Sequence, residues 1–315
     1  MPEDAGGDRH IEIEDVPLVS LGEALAIVGE ETRATIITEL GKARTVAPGA
    51  SNALGFTELM DRVGAEDSGG FNYHLQRLVG PFLKQTEDGY LLRMPGQLIF
   101  EAIVAGTLDD RPTVDPFPVG PCPRCDAVLT AAVHPDHLLT VECTDCATLF
   151  DAVAFPARGL ADRDTEEILA AAYQRRHHTV ATMRRGVCPR CAGRVARDLR
   201  GDASITYGDA DVAAMAGLET YATLECESCH AGLVGHPANV AVTAPIVVGF
   251  FADHGEDVAR TNWWTDPIAT ARATTTTVDA APRQVQIPFE LGDECLTVTL
   301  DASLSVTATT REPAT

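Results

Sequence analysis

Apolar side chains recur at helical spacing through the N-terminal third of the chain. Along residues 21–43 the pattern predicts two helices with a break near Gly29. A loop rich in proline, glycine and alanine follows, after which residues 56–64 predict a short helix. Residues 71–79 place their apolar positions on one face, which predicts a further helix.

The periodicity changes to strand-like alternation at residues 82–93. This segment alternates on both sides of the turn 87–89, which predicts a β-hairpin, and residues 94–108 then return to an apolar helical face. The resulting order is helix, helix, short helix, helix, hairpin and helix. It is the order of a winged helix-turn-helix, which we expect over residues 18–109.

The remaining chain carries several different patterns. A segment with four prolines predicts a linker, and a long amphipathic stretch, acidic at its start and arginine-rich at its end, predicts a helix. Alternating segments near the C-terminus predict a small antiparallel sheet, so the fold class is α+β. The expected parts are an acidic flexible tail (1–17), the winged helix-turn-helix (18–109), a linker (110–120), a first cysteine-bearing module (121–155), a connecting helix (156–187), a second cysteine-bearing module (188–236), and a region of short helices and β-rich segments (237–315).

The chain carries many more acidic than basic residues, which bears on the salt concentration at which the protein works. The chain has 46 acidic and 24 basic residues, a net charge of −22, and its lysines are Lys42 and Lys84 alone. An acidic, lysine-poor surface resembles the proteins of salt-accumulating haloarchaea, in which dense carboxylates keep the surface hydrated while salt screens their repulsion. An acidic protein from an ordinary-salt organism is the alternative. Because molar salt shortens the screening length to about 3 Å, the negative charge does not exclude nucleic-acid binding.

Membrane insertion and secretion are not expected for this chain. It has no run of about eighteen apolar residues, which is the length that a spanning helix needs. Its first residues are acidic and polar, the opposite of a secretory signal. We therefore predict a cytoplasmic protein with no membrane partner.

Eight of the nine cysteines stand in four Cys-x-x-Cys pairs. A Cys-x-x-Cys turn points two thiolates at one metal, and two such turns supply the four sulfurs that suit zinc. Seventeen residues (126–142) separate the first two pairs, which is the spacing of a zinc ribbon, and thirty-four (192–225) separate the last two. We predict two structural zinc ions, although interleaved pairing of the four turns stays open. The predicted ligands are Cys122, Cys125, Cys143, Cys146, Cys188, Cys191, Cys226 and Cys229.

Other chemistry of these cysteines is disfavoured. Disulfides are rare in a cytoplasmic chain. A thioredoxin-like redox motif would use one Cys-x-x-Cys in a βαβ setting rather than four, and the spacings specific to iron–sulfur proteins are absent. A zinc deaminase needs His-x-Glu shortly before Pro-Cys-x-x-Cys, whereas the two such triplets here lie at 10–12 and 254–256. Four sulfurs also leave no open position for water, so we predict no catalytic residues and no enzyme activity. Cys295 stands alone and is expected to be a buried apolar residue.

Arginines gather between residues 175 and 200, where Asp198 is the only acidic residue. They could complement a helix C-terminus and pair with carboxylates, or they could form a surface for phosphate or an acidic partner. Both interpretations stay open. The eight residues are Arg175, Arg176, Arg184, Arg185, Arg190, Arg194, Arg197 and Arg200.

The segments 56–64 and 71–79 resemble the helix-turn-helix of ArsR-type winged-helix transcriptional regulators. Residues 23–40, with Arg33 at a helix start, resemble the first two helices of that family, and the closest likeness is to haloarchaeal members with C-terminal zinc ribbons. The resemblance implies that the helix at 69–79 enters the major groove of double-stranded DNA, followed by a wing that reaches phosphate. The implied DNA contacts are Asn72, Tyr73, His74, Gln76 and Arg77 on the helix, and Lys84, Gln85 and Arg93 on the wing.

This chain departs from metal-sensing members of that family because residues 56–64 contain no cysteine. Metal sensing at that helix is therefore not predicted, and the zinc sites are expected to be structural. The leading hypothesis is a homodimeric, sequence-specific DNA-binding transcriptional regulator. The alternative is an adaptor that binds a protein of the transcription machinery, because residues 18–107 hold seven basic and eleven acidic residues.

Overall fold

The computed structural model describes residues 19–45, 52–107, 113–201, 206–207, 210–211, 218–280 and 282–314. The acidic tail predicted at 1–17 lies outside the described residues. The chain divides into two compact units, Met1–Asp109 and Asp110–Thr315, called here the N-terminal and C-terminal units. None of the helices in the described part of the chain is both long and apolar enough to cross a membrane.

The N-terminal unit combines helices with one β-hairpin. Its described elements are α1 (Leu21–Val28), α2 (Glu31–Lys42), α3 (Phe56–Val63), α4 (Ser68–Leu78), β1 (Leu83–Thr86), β2 (Gly89–Leu92) and α5 (Met94–Val104). The helices and the hairpin lie where the hydrophobic pattern predicts them. Their inward side chains form one apolar core that includes Ile36, Leu40, Leu59, Leu75 and Leu83.

Local capping sets the ends of these helices. The Glu30 carboxylate accepts hydrogen bonds from the backbone N–H groups of Thr32 (3.1 Å) and Arg33 (3.0 Å), which starts α2. Gly64 takes a left-handed conformation (φ 73°) and ends α3, a role that favours glycine. Asp67 then caps α4 through two backbone N–H groups. The short turn between α3 and α4 is thus encoded by residues at its two ends.

The C-terminal unit is mostly antiparallel sheet. Its strands are β3 (Val114–Pro121), β4 (Val128–His134), β5 (Leu138–Cys143), β6 (Thr148–Ala154), β7 (Val195–Arg200), β8 (Thr206–Tyr207), β9 (Ala210–Asp211), β10 (Tyr221–Cys226), β11 (Gly232–Gly235), β12 (Thr276–Ala280), β13 (Arg283–Leu291), β14 (Glu294–Leu300) and β15 (Val306–Pro313). Among the described residues its helices are α6 (Thr165–Arg184), α7 (Pro237–Ala241), α8 (Pro245–Asp253) and α9 (Ile268–Thr274), with 3₁₀ turns at Ala157–Gly159 and Val258–Arg260.

These strands form three main sheets around a continuous core. The strand orders are β3-β4-β5-β6, β11-β10-β7 and β12-β13-β14-β15, and β8 pairs with β9 separately. The strand pairings that the structure describes within these sheets are antiparallel. Buried side chains from all three sheets, such as Leu129, Leu224 and Phe289, belong to the same apolar cluster. The overall class is α+β, with several small antiparallel sheets.

Two segments differ from the sequence-based expectation. The predicted linker 110–120 contains most of strand β3, which pairs with β4 and buries Phe117. Its prolines are tolerated because β3 is an edge strand, where one side of the backbone needs no ladder hydrogen bond. The connecting helix predicted within 156–187 is α6 alone, because an Asp164–Glu167 capping box fixes its start at Thr165.

Candidate metal centres and the exposed face of helix α4

The first cysteine cluster consists of Cys122, Cys125, Cys143 and Cys146. Cys122 and Cys125 lie in the turn between β3 and β4, and Cys143 and Cys146 lie at the turn between β5 and β6. The Sγ atoms of Cys122 and Cys146 are 3.8 Å apart, and those of Cys125 and Cys143 are 3.5 Å apart. All four sulfurs lie within 4.8 Å of one another.

The second cysteine cluster consists of Cys188, Cys191, Cys226 and Cys229. The first two precede β7, and the last two lie at the turn between β10 and β11. The Sγ–Sγ distances are 3.7 Å for Cys188 and Cys229 and 3.5 Å for Cys191 and Cys226. The structure therefore joins the first Cys-x-x-Cys turn to the second and the third to the fourth, which answers the pairing question left open by sequence.

All four Cys-x-x-Cys turns share one backbone feature. The residue after the second cysteine has a positive φ in each: 63° at Asp126, 52° at Ala147, 57° at Ala192 and 56° at His230. Non-glycine residues seldom adopt this conformation, which costs about 1–2 kcal/mol. Its recurrence at four equivalent positions indicates that the direction of the thiols, rather than the local sequence, dictates the turn.

Backbone N–H groups also point at the sulfurs. The N–H of Arg124 donates to Cys122 Sγ (3.4 Å), and the N–H of Arg190 donates to Cys188 Sγ (3.4 Å). Such donors stabilise thiolates. At Gly193 an added Cβ would lie 2.8 Å from Ser228 Oγ and 3.1 Å from Cys226 Sγ, so glycine allows the backbone to pass close to these two side chains.

The thiol pKa values are shifted in both directions within each cluster. Hydrogen bonding with the Thr148 hydroxyl lowers the pKa of Cys146 to about 6, and backbone N–H groups of Cys229 and Ser228 lower that of Cys226 to about 6. The pKa of Cys188 is also lowered, whereas those of Cys125 and Cys191 are raised to about 12. Hydrogen-bond donors thus favour the thiolate, the form that binds a metal, at some of the sulfurs of each cluster. All nine cysteines are free thiols, so the clusters are closed sets of four sulfurs able to hold a metal ion.

The exposed face of α4 carries most of the predicted DNA contacts. Asn72, Tyr73, Gln76 and Arg77 are exposed, while Phe71, Leu75 and Leu78 on the opposite face are buried. The helix therefore presents amide, phenol and guanidinium groups to solvent on a rigid apolar base.

His74 has a different environment from these neighbours. Its ring is half-buried, with Nδ1 3.0 Å from Glu30 Oε2 and 3.3 Å from Arg33 Nη1. Arg33 also donates to the backbone carbonyls of Ala26 and Ile27 at the end of α1. His74 thus connects α4 to the junction of α1 and α2, a contact between residues too distant in sequence for the pattern to reveal.

The predicted wing contacts lie on and beside the hairpin. Gln85 is exposed on β1, and Lys84 beside it is half-buried. Arg93 is half-buried and forms the N-cap of α5, with its backbone N–H donating to the Phe82 carbonyl at 2.8 Å. Of the three, Gln85 is the most exposed.

The arginines between 175 and 200 divide into internal and exposed members. Arg176 is buried and pairs with Asp151 (Nη2–Oδ1 3.3 Å). Arg184 donates to Thr243 Oγ1 (3.1 Å), and Arg197 donates to the Arg184 carbonyl (2.7 Å). These three therefore have structural contacts. The exposed members are Arg175, Arg185, Arg190, Arg194 and Arg200, the last paired with Asp198.

The fold and the two sulfur clusters define an α+β protein with a pair of four-cysteine clusters that could hold metal ions. The chain belongs to the family described as "Domain of unknown function (DUF7351)", whose model matches residues 119–306, more than half of its length. A second family model, "Domain of unknown function (DUF7347)", matches residues 22–103. No curated protein and no solved structure matches the chain.

Proposed function

We propose that the protein is a sequence-specific DNA-binding transcriptional regulator of the winged helix-turn-helix type. The observation that carries the proposal is the exposed polar face of α4, which follows α3 after a short glycine-containing turn and precedes the β1–β2 hairpin. A helix of this kind, rigid on its apolar side and rich in amide and guanidinium groups outside, suits the major groove.

The side chains on this face have the chemistry of base readout. Asn72 and Gln76 can each bind adenine through two hydrogen bonds, and Arg77 can bind guanine in the same way. The contact of His74 with Glu30 supports this role because it fixes the rotation of α4 relative to α1 and α2. Gln85 on the hairpin then hydrogen-bonds to the sugar–phosphate backbone of the DNA.

High salt accounts for DNA binding by so acidic a chain. Counterion release contributes little when bulk salt is high, so binding relies on base-edge and apolar contacts. A homodimer is supported by exposed apolar side chains at helical spacing, Leu21 and Leu25 on α1 and Met94 and Leu98 on α5. Burying them between two copies would remove an apolar surface from water.

We further propose that each cysteine cluster binds one structural zinc ion. Four sulfurs about 2.3 Å from a zinc ion lie about 3.8 Å from one another, close to the 3.5–3.8 Å between the paired sulfurs. Four thiolates complete the zinc coordination, so the metal stabilises the fold and leaves no position for an activated water.

A second candidate function is protein binding within the transcription machinery. The observation in its favour is charge: residues 18–107 have seven basic and eleven acidic residues, which is an unusual balance for a DNA-binding domain. The same exposed helix would then contact a protein.

The test compares DNA binding by the full-length protein and its variants at molar salt. Chromatin immunoprecipitation with sequencing from native cells defines the target DNA. Asn72→Ala combined with Arg77→Ala should then weaken binding to it by roughly a hundredfold, because each lost base contact costs about 1–3 kcal/mol.

Arg62→Ala is the matched control for this test. Arg62 is an exposed arginine on α3, paired with Glu58 at 2.8 Å, and lies outside the face of α4. Its replacement should leave binding unchanged. If the double variant binds DNA as tightly as the natural chain, the adaptor function is favoured instead.

A further inference from the structure

A bulge in strand β6 turns the Asp151 carboxylate into the core of the C-terminal unit. The register between β5 and β6 shifts so that Val141 pairs with Asp151 and Glu142 with Leu149, which leaves Phe150 as the extra residue. Phe150 and Asp151 are consequently both buried, although consecutive residues of a regular strand point to opposite faces. The bulge is what brings a carboxylate inside.

Two arginines approach this part of β6 from different helices. Arg176 of α6 pairs with Asp151, and its Cζ lies 5.2 Å from the ring centre of Trp263. Arg272 of α9 lies over Phe150 at 5.5 Å and donates to the Trp263 carbonyl at 3.3 Å. Two guanidinium groups therefore act on one buried carboxylate, Arg176 through an ion pair and Arg272 through its charge. These three side chains together carry a charge of about +1 in a chain of net charge −22.

The aromatic cage comprises Tyr173, Trp263 and Trp264. The Tyr173 ring makes edge contacts with both tryptophan rings, with centroids 5.7 and 5.6 Å apart. The three residues are 1–3% exposed, and Arg176 beside them is 6% exposed. The three rings and the guanidinium group are therefore shielded from bulk solvent.

Four buried polar atoms of this group make no hydrogen bond within the part of the chain that the structure describes. They are Tyr173 Oη, Arg176 Nε, Trp263 Nε1 and Trp264 Nε1. Burial and the Asp151 charge raise the pKa of Tyr173 well above its usual value, so its phenol keeps a proton to donate. All four atoms can donate, and each buried donor without an acceptor is costly.

A neighbouring histidine adds no further charge to this group. Burial, with the nearby Arg272 charge, lowers the pKa of His236 to about 3, so this histidine adds no charge at neutral pH. Burial likewise lowers the pKa of Arg272, but a guanidinium stays ionised. The group therefore keeps one positive charge in excess and four N–H or O–H donors in need of an acceptor.

We propose that this cage binds a single halide ion, chloride in the natural setting, between Tyr173, Arg176 and the two tryptophans. One monovalent anion neutralises the excess charge and accepts from the unpartnered donors. The positive edges of the indole rings also favour an anion. This inference is independent of DNA binding, and it makes halide a stabilising ligand of the C-terminal unit.

The chain offers a direct probe, because Trp263 and Trp264 are its only tryptophans. Sodium bromide is titrated against sodium gluconate at fixed total sodium, and tryptophan emission is followed. Bromide bound at the cage should quench emission in a saturable way, and added chloride should reverse the quenching by competition. Crystals grown with bromide should show one anomalous peak between Tyr173 and the tryptophans.

Variants test whether the saturable signal belongs to this site. Tyr173→Phe removes one donor and little volume, and should weaken bromide binding about tenfold. Arg272→Gln removes the excess charge and should abolish saturation. Arg200→Gln, at an exposed arginine paired with Asp198, is the matched control and should bind as the natural chain does. Circular dichroism confirms that each variant is folded.

Two outcomes would overturn the proposal. Quenching that rises linearly with bromide, equally in the natural chain and in Tyr173→Phe, means that collision is the only effect and that water satisfies the donors. Saturable quenching that neither variant changes places the halide elsewhere.

Discussion

The two cysteine clusters reach nearly the same geometry from different lengths of chain. Seventeen residues separate the Cys-x-x-Cys turns of the first cluster and thirty-four those of the second, yet paired sulfurs are 3.5–3.8 Å apart in both. In each, the strand after the first turn pairs antiparallel with the strand that ends at the third cysteine: Leu129 opposes Cys143, and Val195 opposes Cys226. The strand register, rather than the spacing, assembles the four sulfurs.

The surroundings of the two clusters differ. The sheet of the first cluster carries the buried Asp151–Arg176 pair, whereas an exposed pair, Asp198 with Arg200, lies on β7 of the second. The second cluster also exposes two cysteines, Cys191 and Cys229. One sulfur geometry is therefore found beside a buried ion pair in one sheet and beside an exposed ion pair in the other, so mutations near the two clusters should have different effects.

The largest effects should follow from removing a buried ligand. Cys143→Ser and Cys226→Ser should each lower bound zinc from about two ions per chain to about one and destabilise the C-terminal unit by several kcal/mol, because metal binding is linked to folding. Metal analysis and chemical denaturation measure the two quantities.

Cys295→Ser is the control for these variants. Cys295 is half-buried in β14 and belongs to neither cluster, so its replacement should keep about two zinc ions. Fewer than two zinc ions in the natural chain, or an unchanged fold after either ligand is lost, would contradict a structural role for both centres.

Next in size is the difference between the buried and exposed carboxylates. Asp151→Ala should cost about 3–5 kcal/mol of unfolding free energy, because it leaves the buried Arg176 guanidinium without its partner. Asp198→Ala, on the exposed strand of the second cluster, should cost less than about 1 kcal/mol. Urea denaturation measures the loss of unfolding free energy in each variant. Equal losses would show that the buried and the exposed ion pair contribute equally to stability.

A smaller effect concerns pH at the end of the second sheet. His236 follows β11, and its Nδ1 accepts the N–H of Ala238 at the start of α7. Because its folded pKa of about 3 lies below its unfolded value, the unfolded state binds the proton first as pH falls. Stability is therefore complete above pH of about 6.5 and decreases from there toward pH of about 3.

The variant His236→Asn keeps a capping acceptor and removes the titration. The unfolding free energy of the variant minus that of the natural chain should be about 1 kcal/mol larger at pH of about 5.5 than at neutral pH. Denaturation at both pH values measures this difference. The same thiols are present in both proteins, so any effect of their protonation on stability cancels. A pH-independent difference would show that His236 is protonated in the folded state.

The smallest expected effect concerns the backbone strain in the Cys-x-x-Cys turns of the two clusters. Ala147 and Ala192 are exposed and have positive φ in the first and second clusters. Ala147→Gly and Ala192→Gly should each raise stability by up to about 1 kcal/mol, because glycine adopts this conformation without strain. Similar gains would establish that the two turns carry equal strain, and a loss in either would separate them.

Much of the fold could be predicted because it depends on local pattern. The helix over Ser68–Leu78 follows from the spacing of Phe71, Leu75 and Leu78, and the hairpin follows from alternation around a glycine turn. Prolines misled the prediction at Val114–Pro121, because local sequence does not reveal that a strand lies at a sheet edge.

The sequence by itself determined which residues could hold metal, since Cys-x-x-Cys fixes two thiols on one turn whatever surrounds it. Only the tertiary structure decided which turns combine, because strands distant in sequence must pair first. It also placed His74 beside Glu30 and Asp151 beside Arg176. A strand bulge and helix packing create those contacts, and neither leaves a periodic signal in the chain.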